Sequence, residues 1–139
     1  MTDEAFARAF ERGDVSKEDF THVSHMRVAW VYLREAPSRD AAVDRIRGAI
    51  QRFAAALGAS QKYHETITVA WMILLDEARA RMPADAALAD VLLAYPVFAD
   101  KNLPLSFYSR DRLFSEAART GWIAPDLGPL VVDSSGPPD

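Results

Sequence analysis

The spacing of apolar residues constrains this chain more than any other feature of its sequence. From about residue 2 to residue 121, apolar side chains recur three or four positions apart, and no useful stretch alternates apolar with polar residues. A spacing of three and four is the pattern of an amphipathic α-helix, whereas a half-buried strand repeats every second residue. The sequence therefore predicts an all-α fold.

Capping residues and helix stops divide this pattern into five or six helices of a single compact bundle. Ser, Thr or Asp precedes most segments, and Gly or Pro follows them, as is typical of helix starts and ends. The predicted segments are Thr2 to about Arg12, Thr21 to Ala36, Asp40 to Leu57, Ser60 to before Pro83, Pro83 to Pro96, and Ser109 to Gly121. We expect residues 1–130 to form one domain and residues 131–139, rich in Ser, Gly and Pro, to form a disordered tail.

Charge and composition exclude several classes of function. A net charge of −4 and a pI near 5.3 provide no general attraction to nucleic acid or to anionic membranes. The chain has no cysteine, so any metal would need His, Asp or Glu ligands. The acidic start of the sequence does not resemble a secretion signal, and no apolar run is long enough to span a bilayer. The sequence predicts a cytoplasmic protein and leaves a homo-oligomer possible.

The three histidines are the main candidates for chemistry. His22 and His25 lie three residues apart at the start of the second helix, and His64 lies near the start of the fourth. Each shares a helix face with core residues. Short connections on both sides of the third helix predict antiparallel neighbours, which makes the second and fourth helices parallel. We therefore expect all three rings to converge in one pocket.

Such a pocket has two possible uses. The imidazoles of His22, His25 and His64 could bind a divalent metal (zinc, iron, nickel or copper) and leave one coordination position open. They could instead act as catalytic acid–base groups near neutral pH. The segment "HETIT" lacks the second histidine of the HExxH zinc motif, and the paired ExxH motifs of di-iron bundles are missing.

Polar residues near these histidines are candidates for binding a small-molecule substrate. They are Tyr63, Glu65, Thr68, Tyr108 and Arg110. Thr68 shares the inward face with His64, whereas Glu65 lies about 100° round the helix and can be solvated. For the segment that contains Tyr108 and Arg110, a structural interpretation is that Ser109 caps a helix and that Arg110 forms a surface ion pair.

Two functional hypotheses follow. The first is a small-molecule enzyme or metalloprotein that uses the three-histidine pocket. The second is a helical protein-interaction or regulatory module whose histidines only hydrogen-bond within the fold, as most buried histidines do.

Three blocks together, "FTHVSHMRVAWVYL", "KYHETITVAW" and "YSRDRLFSEAARTGW", resemble a family of small bacterial proteins. The resemblance spans about residues 19–125. It implies a helical fold in which the three blocks belong together, and it implies no activity.

Overall fold

The structure is a computed structural model that describes residues 1–133, and within this range it consists of helices and loops without a β-strand. The all-α prediction is confirmed. The α-helices are α1 (Asp3–Glu11), α2 (His22–Glu35), α3 (Arg39–Ala56), α4 (Glu65–Arg79), α5 (Leu88–Ala94), α6 (Arg110–Leu113) and α7 (Glu116–Thr120). Short 3₁₀ turns lie at Ser60–Lys62, Pro96–Ala99 and Leu103–Ser106. Residues 134–139 of the predicted tail lie outside the described residues.

The first three helices begin and end close to where the sequence predicts. The side-chain oxygens of Thr2, Thr21 and Ser38 each accept a hydrogen bond from the backbone N–H three residues later. These caps satisfy N–H groups that the helix itself leaves unpaired. Gly13 and Gly58 follow α1 and α3 with φ of 78° and 68°, a conformation that glycine adopts without steric cost.

The start of α4 differs from the prediction. Ser60 opens only a 3₁₀ turn, and α4 begins after His64, whose ring Nδ1 accepts a hydrogen bond from the N–H of Ile67 at 3.1 Å. His64 is therefore the N-cap of α4. The sequence favours Ser60 because serine is a common capping residue and histidine is not.

The predicted sixth helix is divided into α6 and α7 at Ser115. The Ser115 hydroxyl donates to the carbonyl of Arg112 at 2.8 Å and accepts from the N–H of Ala118 at 3.1 Å. Ser115 thus ends one short helix and caps the next. This break accounts for seven α-helices among residues 1–133 instead of the five or six predicted.

Helix α3 runs antiparallel to α4. Arg39, at the start of α3, lies 3.5 Å from Asp76 near the end of α4, whereas Arg47, further along α3, pairs with Glu65 at the start of α4.

Helix α3 is also antiparallel to α2. Phe53, near the end of α3, packs against Phe20 just before α2, with ring centroids 4.9 Å apart. At the other end of α2, Glu35 pairs with Arg45 of α3 at 3.2 Å. Helices α2 and α4 consequently run parallel, in agreement with the prediction from the short connections.

One core joins these helices, and two of its large aromatic side chains have their polar atoms paired. The indole N–H of Trp30 donates to the carbonyl of Ala86 at 2.9 Å, and the hydroxyl of Tyr32 donates to Glu11 at 2.6 Å. Burial of each such side chain contributes about 1.5–3 kcal/mol. At the C-terminal end of the described chain, Val132 packs partly against the same core. None of the helices in residues 1–133 has the length and apolar character needed to cross a bilayer.

Candidate functional site

His64 uses both nitrogens of its ring to hold the fold. Its Nδ1 accepts from Ile67, so Nδ1 carries no proton, and its Nε2 lies 2.8 Å from the carbonyl oxygen of Leu113. Because a carbonyl only accepts, Nε2 must carry the proton and donate it. The neutral Nε2–H tautomer is therefore fixed by two backbone partners. Both nitrogens are committed to α4 and α6.

His22 is likewise bonded to the backbone. Its Nε2 lies 2.9 Å from the carbonyl oxygen of Phe98, and its ring packs against Trp71 with centroids 4.7 Å apart. Trp71 follows His64 by seven residues, which is about 10 Å along a helix at 1.5 Å per residue. The contact of His22 is therefore about two turns along α4 from His64.

His25 differs from the other two histidines. Its partly buried ring lies beside Phe20, with centroids 5.8 Å apart, and makes no hydrogen bond to a residue of the described chain. Burial, with a smaller contribution from the positive charge of His22, lowers the pKa of His25 to about 4. The His25 nitrogens are not among the fully buried side-chain atoms that lack a hydrogen bond, since Nη1 of Arg39 is the one such atom in residues 1–133. The His25 nitrogens therefore keep some contact with solvent.

The structure brings two of the three histidines together. His22 and His25 are neighbours on the first turn of α2, whereas His64 contacts α6. Among the described residues, no three side chains of His, Asp or Glu gather in an arrangement that could hold a metal ion. Metal binding and acid–base catalysis by the three histidines stay predictions.

Tyr63 and Glu65, two of the predicted substrate-binding residues, line a cleft of about 640 Å³. The cleft lies between α3, the 3₁₀ turn before α4, the start of α4 and α7. Its lining residues are Arg47, Gln51, Ala55, Ser60, Tyr63, Glu65, Arg119, Thr120 and Gly121. Cavities of about 300–1,000 Å³ with a few converging polar groups are typical small-molecule sites.

A chain of short hydrogen bonds forms one wall of this cleft. The Nε and Nη2 atoms of Arg47 donate to Glu65 at 2.9 and 2.5 Å, and the hydroxyl of Tyr63 donates to the same carboxylate at 2.6 Å. A further nitrogen of Arg47 donates to Asp44 at 2.7 Å. The side chain of Glu65 is only 13% exposed. Glu65 is thus paired with Arg47 and Tyr63 and mostly buried. Its position on the helix in the sequence was also compatible with a solvated side chain.

These contacts fix the charge of each group at neutral pH. The hydrogen bond to Arg47 lowers the pKa of Glu65, and the reciprocal bond raises the pKa of Arg47. Burial, followed by the bond to Glu65, raises the pKa of Tyr63. The carboxylate is therefore ionised, fully occupied by donors and a weak base.

Arg119 of α7 forms the opposite wall. One of its Nη atoms donates to the backbone carbonyl of Gln61 at 3.1 Å, and its Nε donates to Glu116 at 3.1 Å. The sequence did not indicate Arg47 or Arg119 as site residues. Their partners Glu65 and Gln61 lie 18 and 58 residues away, and no local pattern encodes such contacts.

The other predicted substrate residues do not line this cleft. The Thr68 hydroxyl donates to the carbonyl of His64 at 2.9 Å inside the core. The hydroxyl of Tyr108 donates to the carbonyl of Ile123 at 2.7 Å, and burial raises the pKa of Tyr108 to about 12. Arg110 is exposed, and its guanidinium lies over the ring of Phe114, 5.6 Å from the centroid.

Comparison with protein-family models, curated proteins and solved structures finds no significant match to this chain.

Proposed function

We propose that this protein binds a small polar molecule with a carboxylate or phosphate group in the cleft between Arg47, Tyr63, Glu65 and Arg119. One observation carries the proposal: these four polar side chains come from three separate segments, namely α3, the start of α4 and α7, and converge on one open cleft. All four also have shifted pKa values. Convergence of polar groups with shifted pKa values is a common property of ligand sites.

The two arginines retain capacity for a ligand. A guanidinium group carries five N–H donors. Arg47 and Arg119 each use the Nε–H and one N–H of each Nη atom for partners within the protein, and the Nε–H of Arg47 is shared between both oxygens of Glu65. Two N–H groups of each arginine therefore remain available, and guanidinium donors suit carboxylate and phosphate oxygens.

The carboxylates nearby do not prevent such binding. Glu65 neutralises part of the charge of Arg47, but its oxygens are already occupied by donors. Glu116, the partner of Arg119, has a side chain that is 74% exposed, so water and salt screen its charge. Of the two arginines, Arg119 should therefore attract an anionic ligand more strongly.

A thermal-shift screen with dicarboxylates, tricarboxylates and sugar phosphates tests the proposal. A ligand that binds only the folded protein raises the melting temperature. We expect Arg119→Gln to remove the shift that the best compound produces in the wild-type protein. Arg12→Gln is the matched control, because Arg12 is an exposed arginine, paired with Asp14, that does not line the cleft. No shift with any compound, or equal loss in both variants, would contradict the proposal.

A histidine-based function is retained as a separate hypothesis. Its support is His25, which is neutral at pH 7 and whose ring packs beside Phe20 without a hydrogen bond to its nitrogens within the described chain. Metal analysis of the purified protein, with added zinc, iron, nickel or copper, tests this version. Metal uptake that His25→Ala abolishes would support metal binding; a protein that takes up none of these metals would exclude the metal version and leave acid–base chemistry as the remaining histidine-based hypothesis.

An interaction module is the second candidate class. It is supported by the backbone bonds of His22 and His64, which suit structural histidines, and by exposed apolar side chains near the C-terminal end. Phe114, Trp122 and Leu127 are 54%, 43% and 60% exposed. This hypothesis predicts that Trp122→Gln weakens capture of a protein partner and leaves the unfolding free energy unchanged.

A further inference from the structure

A second concave surface, which we call the apolar groove, lies beside the cleft. It has a volume of about 560 Å³ and lies between the end of α3, the turns on either side of residue 60 and the segment before α2. Its lining residues are Lys17, Phe20, Ile50, Phe53, Ala54, Leu57, Gly58, Ala59, Gln61, Lys62 and Tyr63. Tyr63 lines both surfaces, so its side chain separates the polar cleft from the apolar groove.

The floor of the groove is apolar and partly open to solvent. Phe20, Ile50 and Phe53 pack against the core, yet each keeps part of its surface accessible. Leu57, which follows α3, is 46% exposed. Contact between a concave apolar surface and water is unfavourable, so a ligand that covers this surface with apolar groups binds with a favourable free energy.

The charge at the rim of the groove indicates which ligand fits. The chain contains three lysines, Lys17, Lys62 and Lys101, and two of them line this one groove. Every ion pair in residues 1–133 uses an arginine. Within the described chain the ammonium groups of Lys17 and Lys62 therefore have no carboxylate partner. Two unpaired positive charges beside an apolar floor complement a ligand with an apolar body and an anionic head.

We propose that the apolar groove binds an amphiphilic carboxylate of the medium-chain fatty acid type. The hydrocarbon chain lies on Phe20, Phe53 and Leu57, and the carboxylate lies between Lys17 and Lys62. Lysine suits this role, because its long stem follows an apolar surface while its ammonium stays in water. The groove volume falls within the usual range for small-molecule sites. This site differs in chemistry from the polar cleft, and it does not depend on the function proposed for that cleft.

Calorimetric titration with three probes that share a ten-carbon alkyl chain, kept below their solubility limits and micelle-forming concentrations, tests the proposal. The probes are decanoate, decanol and decyltrimethylammonium. Decanoate should bind about tenfold more tightly than decanol, which corresponds to about 1.4 kcal/mol, and the cationic probe should bind most weakly. Equal affinity for all three probes, or no binding of decanoate, would overturn the proposal.

Lysine variants identify where the carboxylate binds. The double variant Lys17→Gln and Lys62→Gln should lose most of the preference for decanoate over decanol and keep its affinity for decanol. The matched control is Lys101→Gln, which alters the remaining lysine, exposed and outside the groove; it should leave both affinities unchanged. An equal loss in the control, or no loss in the double variant, would overturn the assignment of the site.

Leu57→Asn tests the apolar floor at a position that is already half exposed, where the substitution is compatible with folding. It should weaken decanoate and decanol binding several-fold together. An unchanged affinity for both probes in this variant would overturn the proposed position of the hydrocarbon chain.

Sedimentation with phosphatidylglycerol vesicles distinguishes binding to a membrane surface from binding of a free fatty acid. Lysine-dependent binding to vesicles without binding of monomeric decanoate would replace the fatty acid with a lipid surface and overturn the proposal.

Discussion

In residues 63–66, two side chains bond to the backbone of the fold and the other two line the open cleft. On one side, His64 and Thr66 bond to backbone groups of residues 113, 121 and 123, and their side chains face the fold. On the other side, Tyr63 and Glu65 join Arg47 at the edge of an open cleft. The first side holds the C-terminal segment against α4. The second side has donors nearby that a ligand can use.

The difference arises where the chain enters α4. Tyr63 and His64 have extended backbone angles, with ψ of 137° and 109°. Successive side chains of an extended segment point to opposite sides. Tyr63 therefore reaches the cleft while His64 reaches α6. Ionisable residue types alone do not identify a site, because neighbours in sequence serve different purposes.

The largest effect should come from the structural side, in Thr66→Val. The buried hydroxyl of Thr66 donates to the carbonyl of Gly121 at 2.7 Å and accepts from the N–H of Ile123 at 3.1 Å. Valine has a similar shape and leaves both backbone groups unpaired, which should cost about 2–4 kcal/mol of unfolding free energy. Urea unfolding measures the loss. Thr68→Val, which removes a single bond to the His64 carbonyl, is the control and should cost about 1 kcal/mol.

The pH dependence of stability should distinguish His25 from the bonded histidines. Folding lowers the pKa of His25 to about 4, against about 6.5 in an unfolded chain. Between these values the unfolded state binds more protons, so stability falls as pH decreases from about 6.5 to about 4. The loss attributable to His25 is at most about 3.5 kcal/mol, at about 1.4 kcal/mol per pKa unit.

The variant His25→Leu isolates this contribution, because leucine does not titrate. The difference in unfolding free energy between wild type and variant should change across that pH window and stay constant above it. A difference that does not vary with pH would show that the His25 ring has similar surroundings in the folded and unfolded states.

Two substitutions at His64 should separate its two bonds. His64→Ala removes both the cap on Ile67 and the bond to Leu113, which should cost about 2 kcal/mol. His64→Asn can keep the cap and should cost about 1 kcal/mol. If both variants unfold at the wild-type urea concentration, His64 has no role in stabilising the fold.

The smallest stability effect should come from the cleft side. Tyr63→Phe removes one hydrogen bond to a carboxylate that Arg47 continues to hold. We expect at most about 1 kcal/mol, because the phenyl ring preserves the packing. Ligand-induced thermal shifts should fall more in this variant than in Thr68→Val. A loss of stability comparable to that of Thr66→Val would place Tyr63 with the structural residues.

The sequence predicted those features that local chemistry determines. The caps at Thr2 and Thr21 and the stops at Gly13 and Gly58 follow from hydroxyl side chains and from the backbone freedom of glycine. The break at Ser115 was not predicted, because a serine inside an apolar helical pattern is compatible with a continuous helix.

The site could be predicted only in part. Tyr63 and Glu65 were candidates because they lie beside a histidine at a helix start. Arg47 and Arg119 were not candidates. Each is one of several arginines in its part of the sequence, and it becomes a site residue only because the fold brings a distant segment next to it. The position of His22 along α4, beside Trp71 instead of His64, likewise depends on how α2 packs on α4. The lengths of the connections do not determine that packing.

The most direct test of this account is the histidine-ring NMR spectrum of the protein at pH 7, recorded before and after addition of Zn²⁺. We expect His64 to be in the neutral Nε2–H tautomer and zinc to leave its ring nitrogens unchanged, because backbone groups hold both nitrogens. A protonated Nδ1 in His64, or zinc-induced shifts in the rings of His22, His25 and His64 together, would contradict the account and support a three-histidine metal site.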